Sequence, residues 1–293
     1  MSTEPAAVGA PRTLPRAVDL AVLIVSHDSN DVLPSCLDAL AAQCGIALEV
    51  VVVDNASAVP PAAHPRLDQL IRNPDNPGFA VACNQAAVRA SADWLLFLNP
   101  DCFPGPNDLA ALLALAEQAN AEGRLGALGA QLLEADGSAQ AASYRYDPTP
   151  VRLLAALRRG RAAIEPAPPR TGEMLDVEAI SGALMLLPRA AFDAVGGFDA
   201  GYRLHFEDLD LCRRLRQHGL RVRFAPMPRI THLKGTSSRR RPLWVAWQKH
   251  RGWRRYFERF DAHSLGVPAR WGFRLLLWLA LPGLLLRALK PSP

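Results

Sequence analysis

The chain has 293 residues, 49% apolar and 21% charged, which fits a folded globular protein and excludes a disordered or collagen-like one. Its formal charge of +5 hides an asymmetry: residues 1–212 hold 14 Lys+Arg against 26 Asp+Glu, whereas residues 213–259 hold 15 Lys+Arg and one acid, Glu258. The later segment is therefore expected to face something anionic, with nucleic acid, phospholipid headgroups and a diphosphate substrate as candidates.

The first twenty residues lack a basic stretch leading into an apolar one, so residues 1–17 read as a short disordered lead-in and not as a signal peptide. "DLAVLIVS" (19–26) is a continuous apolar run, expected of a strand buried on both faces. A helix should follow, capped by Ser29 or Asn30, with Val32, Leu33, Cys36, Leu37 and Leu40 at helical spacing. "ALEVVVVDN" (47–55) is a second buried strand and "QLIRN" (69–73) a weaker third. "GFAVACNQAAVRA" (78–90) is a small-residue helix, "WLLFLNPD" (94–101) the next strand, and "NDLAALLALAEQA" (107–119) a helix capped by Asn107. "LGALGAQLLEADGS" (125–138) reads as strand then turn. The pattern weakens over 145–175, where "RRGRAAIEPAPPRTG" (158–172) reads as a loop. Order returns with "DVEAISGALMLLPRAAFDAVGGFD", a helix opening on three acids in "HFEDLDLCRRLRQHG", a short strand "LRVRFAP", and then "RITHLKGTSS".

Strands alternating with helices imply βαβ units and a mainly parallel sheet. Right-handed crossovers then place the C-terminal strand ends on one edge, where ligands bind in open α/β sheets. Three strands run out into polar groups: Ser26-His27-Asp28, Asp54-Asn55 and Asn99-Pro100-Asp101. No GxGxxG follows the first strand and no GxxxxGK[ST] occurs, which disfavours dinucleotide-binding and P-loop enzymes. The five cysteines form no CxxC pair, which favours a reducing compartment and buried thiols over a disulfide framework.

Individual residues leave alternatives open. Asp54 reads as a base- or ribose-binding carboxylate or as a turn cap. Asp101 follows a proline that narrows its geometry, and one well-placed carboxylate suffices for a diphosphate-bound divalent cation; "NPD" is also an ordinary turn. Glu207, Asp208 and Asp210 fit either helix-dipole enrichment or a general base lying beside Phe206 and Tyr202. His232 is a structural histidine or a ligand. Gly235-Thr236-Ser237 offers donors to phosphate oxygens.

In order, "VLIVSHDS … VVVDNAS … NPDNPGFAVACNQA … LLFLNPD … SGALMLLPRAAFDAVGGFD … FEDLDLCRRL … HLKGTS" resembles the inverting family 2 glycosyltransferases, nearest the bacterial rhamnosyltransferase-like branch, over about residues 18–260. The resemblance implies an α/β, GT-A type, Rossmann-like mixed but mainly parallel sheet flanked by helices. It implies a domain over 18–240, with a nucleotide-sugar half (18–135) and an acceptor half (136–240), followed by a C-terminal helical extension (241–293). It implies donor binding by Val25, Ser26, Asp54, Asn76, Gly78, Asn84, Asn99 and Asp101, and Mg²⁺ or Mn²⁺ held by Asp101 and His232. Glu207-Asp208 becomes the catalytic pair with Asp208 as base, and Ser181, Gly182, Ala183 and His205 line the sugar and acceptor pocket. Two departures stand out: His27-Asp28 replaces a common Tyr-Asn pair, and the DxD metal motif has become Asn99-Pro100-Asp101.

By the same resemblance the donor is a nucleotide sugar, with dTDP-rhamnose ahead of UDP-galactofuranose and other hexose donors, and the acceptor is a saccharide or lipid-linked saccharide. A nucleotide-sugar-forming nucleotidyltransferase is the competing enzyme class, but "VSHDSNDV" lacks the Gly-rich basic loop it needs. At the C-terminus, "PLWVAWQKHRGWRRYFERF" (242–260) mixes aromatics with cations, and "LLLWLALPGLLL" (275–286) gives twelve uncharged residues interrupted by Pro282-Gly283. That run is shorter than the ~20 residues a spanning helix needs, so it is expected to lie in one leaflet or to pack on protein. The resulting expectation is a cytoplasmic enzyme, peripheral at the inner face of the cytoplasmic membrane, a homodimer in the alternative packing, and without a nucleic-acid partner.

Overall fold

Alternation along the first strand sets the layering. In the computed structural model, which describes residues 18–159, 166, 172–233 and 241–289, β1 (Leu20–Ser26) is buried throughout. Ala21, Leu23 and Val25 enter one apolar cluster and Leu20, Val22 and Ile24 the other. A strand apolar at nearly every position is stable only when both sheet faces are covered. The covering elements follow in chain order: α1 (Leu33–Ala41), β2 (Leu48–Asn55), β3 (Gln69–Asn73), α2 (Phe79–Arg89), β4 (Trp94–Leu98), β5 (Cys102–Phe103), α3 (Asp108–Ala121), β6 (Leu125–Leu133), β7 (Tyr144–Arg145), α4 (Pro150–Arg159), β8 (Leu175–Asp176), β9 (Ala179–Ile180), β10 (Leu184–Pro188), α5 (Arg189–Ala194), α6 (Glu207–Gln217), β11 (Arg221–His232), α7 (Pro242–Phe260) and α8 (Val267–Ala288).

Among the described residues the main sheet runs β3-β2-β1-β4-β10-β6-β11-β5, with β8 added against β11. β3, β2, β1 and β4 are parallel, as are β6 and β11, while β10 is antiparallel to both β4 and β6. This is the mixed, mainly parallel sheet expected. Helices α1 and α3 cover one face; α2, α5, α6 and α7 cover the other.

Several local expectations are corrected. Neither Ser29 nor Asn30 caps α1: the helix starts at Val32-Leu33 without a side-chain cap, Ser29 accepts the Val32 and Leu33 amides through its carbonyl, and Asn30 donates to the Val59 carbonyl. Asn107 likewise makes no side-chain cap; Asp108 instead accepts the Gly105 amide at 2.7 Å. The unpatterned stretch after residue 145 opens with helix α4. "LRVRFAP" and "RITH" are one strand, β11, whose register on β6 jumps between Ala225 and Arg229, where Pro226 and Pro228 cannot donate to the ladder. Helix α8 runs through Pro282-Gly283 as 22 continuous residues, long and apolar enough by length and composition to cross a bilayer.

The division at residue 240 does not separate two bodies. Tyr256 and Phe260 of α7 belong to the same core cluster as β1 and α6. The charge asymmetry also resolves in part within the chain. Arg213 pairs with Asp261, Arg216 with Asp147, Arg221 with Asp176, Arg223 with Glu122, and Arg255 and Arg259 with Asp199, at 2.6–2.8 Å. Much of the anionic surface that the basic segment faces is thus the acidic first part of the same molecule. The lead-in 1–17 and Gly235-Thr236-Ser237 lie outside the described residues.

Candidate active site

Parallel pairing brings the expected strand ends together. Ser26 stands opposite Asp54, and Ile24 opposite Leu98, so Ser26, Asp54 and the Asn99–Asp101 turn share one sheet edge. Asp54 is buried: one carboxylate oxygen accepts the Ser57 amide at 3.2 Å, and Arg72 approaches the other at 3.7 Å. Val25 and Ser26 are buried as well, and among the described residues the Ser26 hydroxyl has no hydrogen-bond partner. Gly78 sits at φ 106°, where a Cβ would meet the Arg203 backbone at 2.8 Å, so glycine is required to bring the 76–78 turn against that segment. Asn76 accepts the Gly78 amide at 3.0 Å, which shapes the same turn. Both amide atoms of Asn84 are engaged by the Phe198 backbone, at 2.8 and 2.9 Å. The geometry therefore gives Asn84 a clasping job between α2 and the 197–198 turn instead of an open donor contact.

The Asn99–Asp101 turn meets the end of β11. Cys102 pairs with His232 across the β5–β11 ladder, and the Leu233 amide donates to the Asp101 carbonyl at 2.9 Å. This places Asp101 Oδ1 3.3 Å from His232 Nε2. Gln140 orients the ring: its Oε1 lies 3.0 Å from His232 Nδ1, and its Nε2 donates to the His232 carbonyl at 2.8 Å. With the Nδ1 proton donated to Gln140, the Nε2 lone pair faces a carboxylate oxygen. Asn99 Nδ2 also lies 3.5 Å from Nε2, and a carboxylate oxygen and an imidazole nitrogen this close fit a divalent ion with positions left for substrate oxygens. Cys102 completes a buried cluster with them. Its thiol, however, points to the Ala183 carbonyl at 3.4 Å, and burial with the Asp101 charge pushes its pKa well above the usual range, so it stays a protonated neighbour of a hard-cation site.

The second half of the site is the start of α6. His205 and Phe206 both adopt positive φ, 65° and 72°, a conformation that costs a non-glycine residue roughly 1–2 kcal/mol. Packing holds it: Phe206 lies edge-on to Trp253 at 5.3 Å, and a Cβ on Gly252 would come within 2.6 Å of its ring. Helix α7 thus props the turn that aims the next two residues. Asp208 accepts from Arg145 and from the Gly182 amide (3.0 Å) with one oxygen, and from the Leu209 amide (2.8 Å) with the other. Glu207 Oε2 is buried without a hydrogen-bond partner among the described residues, and burial plus the adjacent Asp208 charge push the Glu207 pKa up to about 8. His205 is driven the other way, down to about 4, by burial and by Lys249, with Asp208 opposing. Asp210, the third acid, is consumed in a fully buried pair with Arg214 at 2.5 Å.

Glu207 makes stability depend on pH. A group whose pKa rises on folding binds its proton more tightly in the native state, so its stabilising contribution is complete below the unfolded value and fades as pH climbs towards 8. Melting temperatures of Glu207→Gln should therefore fall less than those of wild type between pH ~4.5 and ~8. Parallel melting curves across that range would show that the carboxyl titrates normally.

Residues 181–183 join the two halves. Gly182 donates to Asp208, while the Ala183 carbonyl accepts the Asn99 amide at 2.9 Å; Ser181 anchors the segment by donating to the Ser143 carbonyl at 3.0 Å. A Cβ on Gly182 would press on Asp208 Cβ at 3.2 Å. The carboxylate pair and the Asn99–Asp101 turn are therefore connected through adjacent residues. Sequence patterning offers no pointer to Arg145, Gln140 or the Gly182–Asp208 contact. Arg145 lies in a two-residue strand and Gln140 in a turn, neither of which carries a periodic signal.

This architecture is the GT-A fold of glycosyltransferases. The chain aligns with a solved mannosyltransferase from Pyrobaculum calidifontis in complex with GDP-Man and Mn²⁺ (TM-score 0.56, 18% identity, covering 94% of this chain and 74% of that one). It also aligns with GalNAc-T7 solved with UDP, GalNAc and Mn²⁺ (TM-score 0.58, 17% identity, 83% and 48%). In sequence it is 29% identical over 286 residues to the N-acetylglucosaminyl-diphospho-decaprenol L-rhamnosyltransferase of Mycobacterium tuberculosis, covering 87% of this chain and 89% of that protein. Residues 15–255 match the family described as glycosyltransferase-like family 2, and the chain belongs to that family.

Proposed function

We propose that this glycosyltransferase moves L-rhamnose from dTDP-rhamnose, with inversion, to a saccharide or lipid-linked acceptor in surface-polysaccharide or cell-wall synthesis, working at the inner face of the cytoplasmic membrane. The observation that carries the chemistry is the linkage of Asp208, through Gly182 and Ala183, to the Asn99–Asp101 turn. The sugar choice rests on the similarity to the mycobacterial rhamnosyltransferase.

Asp208 is the base. The acceptor hydroxyl gives its proton to this carboxylate as its oxygen bonds to the anomeric carbon, and the bond from that carbon to the diphosphate oxygen breaks on the opposite face. Two backbone amides and Arg145 fix the carboxylate's direction, so little reorganisation is needed at the moment of transfer. Glu207, protonated below about pH 8, stays neutral beside it and leaves a single negative charge in the pair. Asp101 and His232 would hold Mg²⁺ or Mn²⁺, which supplies positive charge to the leaving diphosphate. Asp54, Ser26 and the 76–78 turn form the nucleoside side of the cleft.

A donor panel tests the sugar. Slow hydrolysis and transfer measured with dTDP-rhamnose, UDP-galactofuranose and UDP- or GDP-hexoses should favour dTDP-rhamnose by at least ~10-fold in kcat/KM, the discrimination a lost hydroxyl contact or misfitting group typically brings. Preference for another donor would reassign the sugar and leave the transfer chemistry in place.

A further inference from the structure

The outer face of the α7–α8 hairpin carries two features the catalytic site does not use. Along α8, Trp271, Leu275, Trp278, Leu279, Leu286 and Leu289 are exposed. At 100° per residue they fall on one narrow stripe, opposite Phe273 and Leu277, which are buried. Beside the stripe, Gly201, Arg251, Arg254, Arg255, Glu258 and Arg259 line a cleft of about 570 Å³.

The cleft has surplus positive charge. Arg255 and Arg259 share the Asp199 carboxylate, and Arg259 also lies 3.3 Å from Asp210, which is itself paired with Arg214. Glu258 is held by Arg274 through two 2.7 Å hydrogen bonds. Arg251 and Arg254 are in ion-pair contact with no carboxylate among the described residues. Arg254 stacks its guanidinium 4.8 Å from the Trp278 ring, and Arg274 lies 4.9 Å from Trp271. A stacked guanidinium keeps its in-plane N–H groups free, and a planar fork of donors matches phosphate oxygens. These contacts set cations at the rim of the apolar stripe, the arrangement of a helix lying flat with its apolar face among acyl chains and its basic flank at the headgroups.

Packing ties the first half of α8 to α7, so that half does not stand free of the protein. Phe273 stacks on Phe257 at 4.5 Å, and the Glu258–Arg274 pair ties the first half of α8 to the arginine-rich α7.

We propose that α8 lies in the plane of the membrane surface and that the Arg251/Arg254/Arg255/Arg259 cleft binds the phosphate of an anionic membrane lipid. This rests on the membrane-associated reading above. The test is sedimentation of the full chain with phosphatidylcholine vesicles and with vesicles containing phosphatidylglycerol, across salt concentrations. Wild type should prefer the anionic vesicles, with affinity falling as salt rises. Arg251→Gln with Arg254→Gln should lose about 25-fold for anionic vesicles, roughly fivefold per arginine near a charged surface. The same variant should keep its residual binding to neutral vesicles and its turnover of a soluble acceptor. Trp271→Ser with Leu275→Ser should weaken both vesicle types. Wild-type binding that ignores lipid charge, or an arginine variant that binds anionic vesicles like wild type, would overturn the cleft assignment while leaving membrane association standing. A wild-type chain that binds neither vesicle would overturn both.

Discussion

Asp208→Asn is expected to leave nucleotide-sugar affinity within about twofold of wild type while transfer falls by ~10²–10⁴-fold, the range that loss of a general base produces. The substitution is nearly isosteric. The carboxamide keeps an oxygen for the Gly182 or Leu209 amide, which now donate at 3.0 and 2.8 Å, so the start of α6 should keep its shape. What disappears is the proton acceptor and the charge that Arg145 faces. Glu207 does not substitute for it. Its carboxyl is pushed up to about 8 by burial and by the Asp208 charge, and once that charge is gone its own cause for staying protonated is mainly burial, which persists. Equilibrium binding of donor and single-turnover transfer separate the two effects. A variant that transfers sugar at the wild-type rate would remove Asp208 from the role of base, and a variant that loses donor affinity in proportion to rate would make it a binding residue.

The parts legible in the sequence are those in which a local rule and the tertiary structure agree. The largely apolar runs at 20–26 and 48–54 had to be strands covered on both faces, and the parallel β2-β1-β4 order then brought Ser26, Asp54 and Asn99–Asp101 to one edge. The caps are illegible because Ser29 and Asn107 have several backbone partners available, and sequence does not rank them. The charge asymmetry points in sequence to an external anion because the distances that pair Arg213 through Arg259 with other acids of the chain are set by long-range packing. Pro282 predicts a break in the last apolar run, yet a single missing donor does not outweigh continuation of α8. Asn99 gains a physical account that sequence lacks. Its amide nitrogen lies 3.5 Å from His232 Nε2, and its backbone amide is fixed by Ala183, so the position serves the geometry of the histidine where a second carboxylate would add charge.

Asp101→Ala should give the complementary result to Asp208→Asn: donor affinity falls with rate. The elements that shape the turn are main-chain, namely the Asn99 amide on Ala183 and the Leu233 amide on the Asp101 carbonyl, so the fold should tolerate loss of the carboxylate. Removal also separates His232 Nε2 from an oxygen 3.3 Å away, which relieves an acceptor–acceptor contact when no cation lies between them. Melting in metal-free buffer is therefore expected to stay close to the wild-type temperature. Turnover should drop by ~10²–10³-fold, the scale on which a preorganised group stabilising developing charge is lost. Calorimetric titration with Mn²⁺ and a nucleoside diphosphate should show wild-type uptake of both and little of either by the variant. His232→Ala should fall between the two, because one ligand remains while Gln140 loses its partner. Metal-independent diphosphate binding of equal strength in wild type and Asp101→Ala would exclude Asp101 from the cation site and leave Arg145, beside Asp208, as the candidate for neutralising the donor's charge.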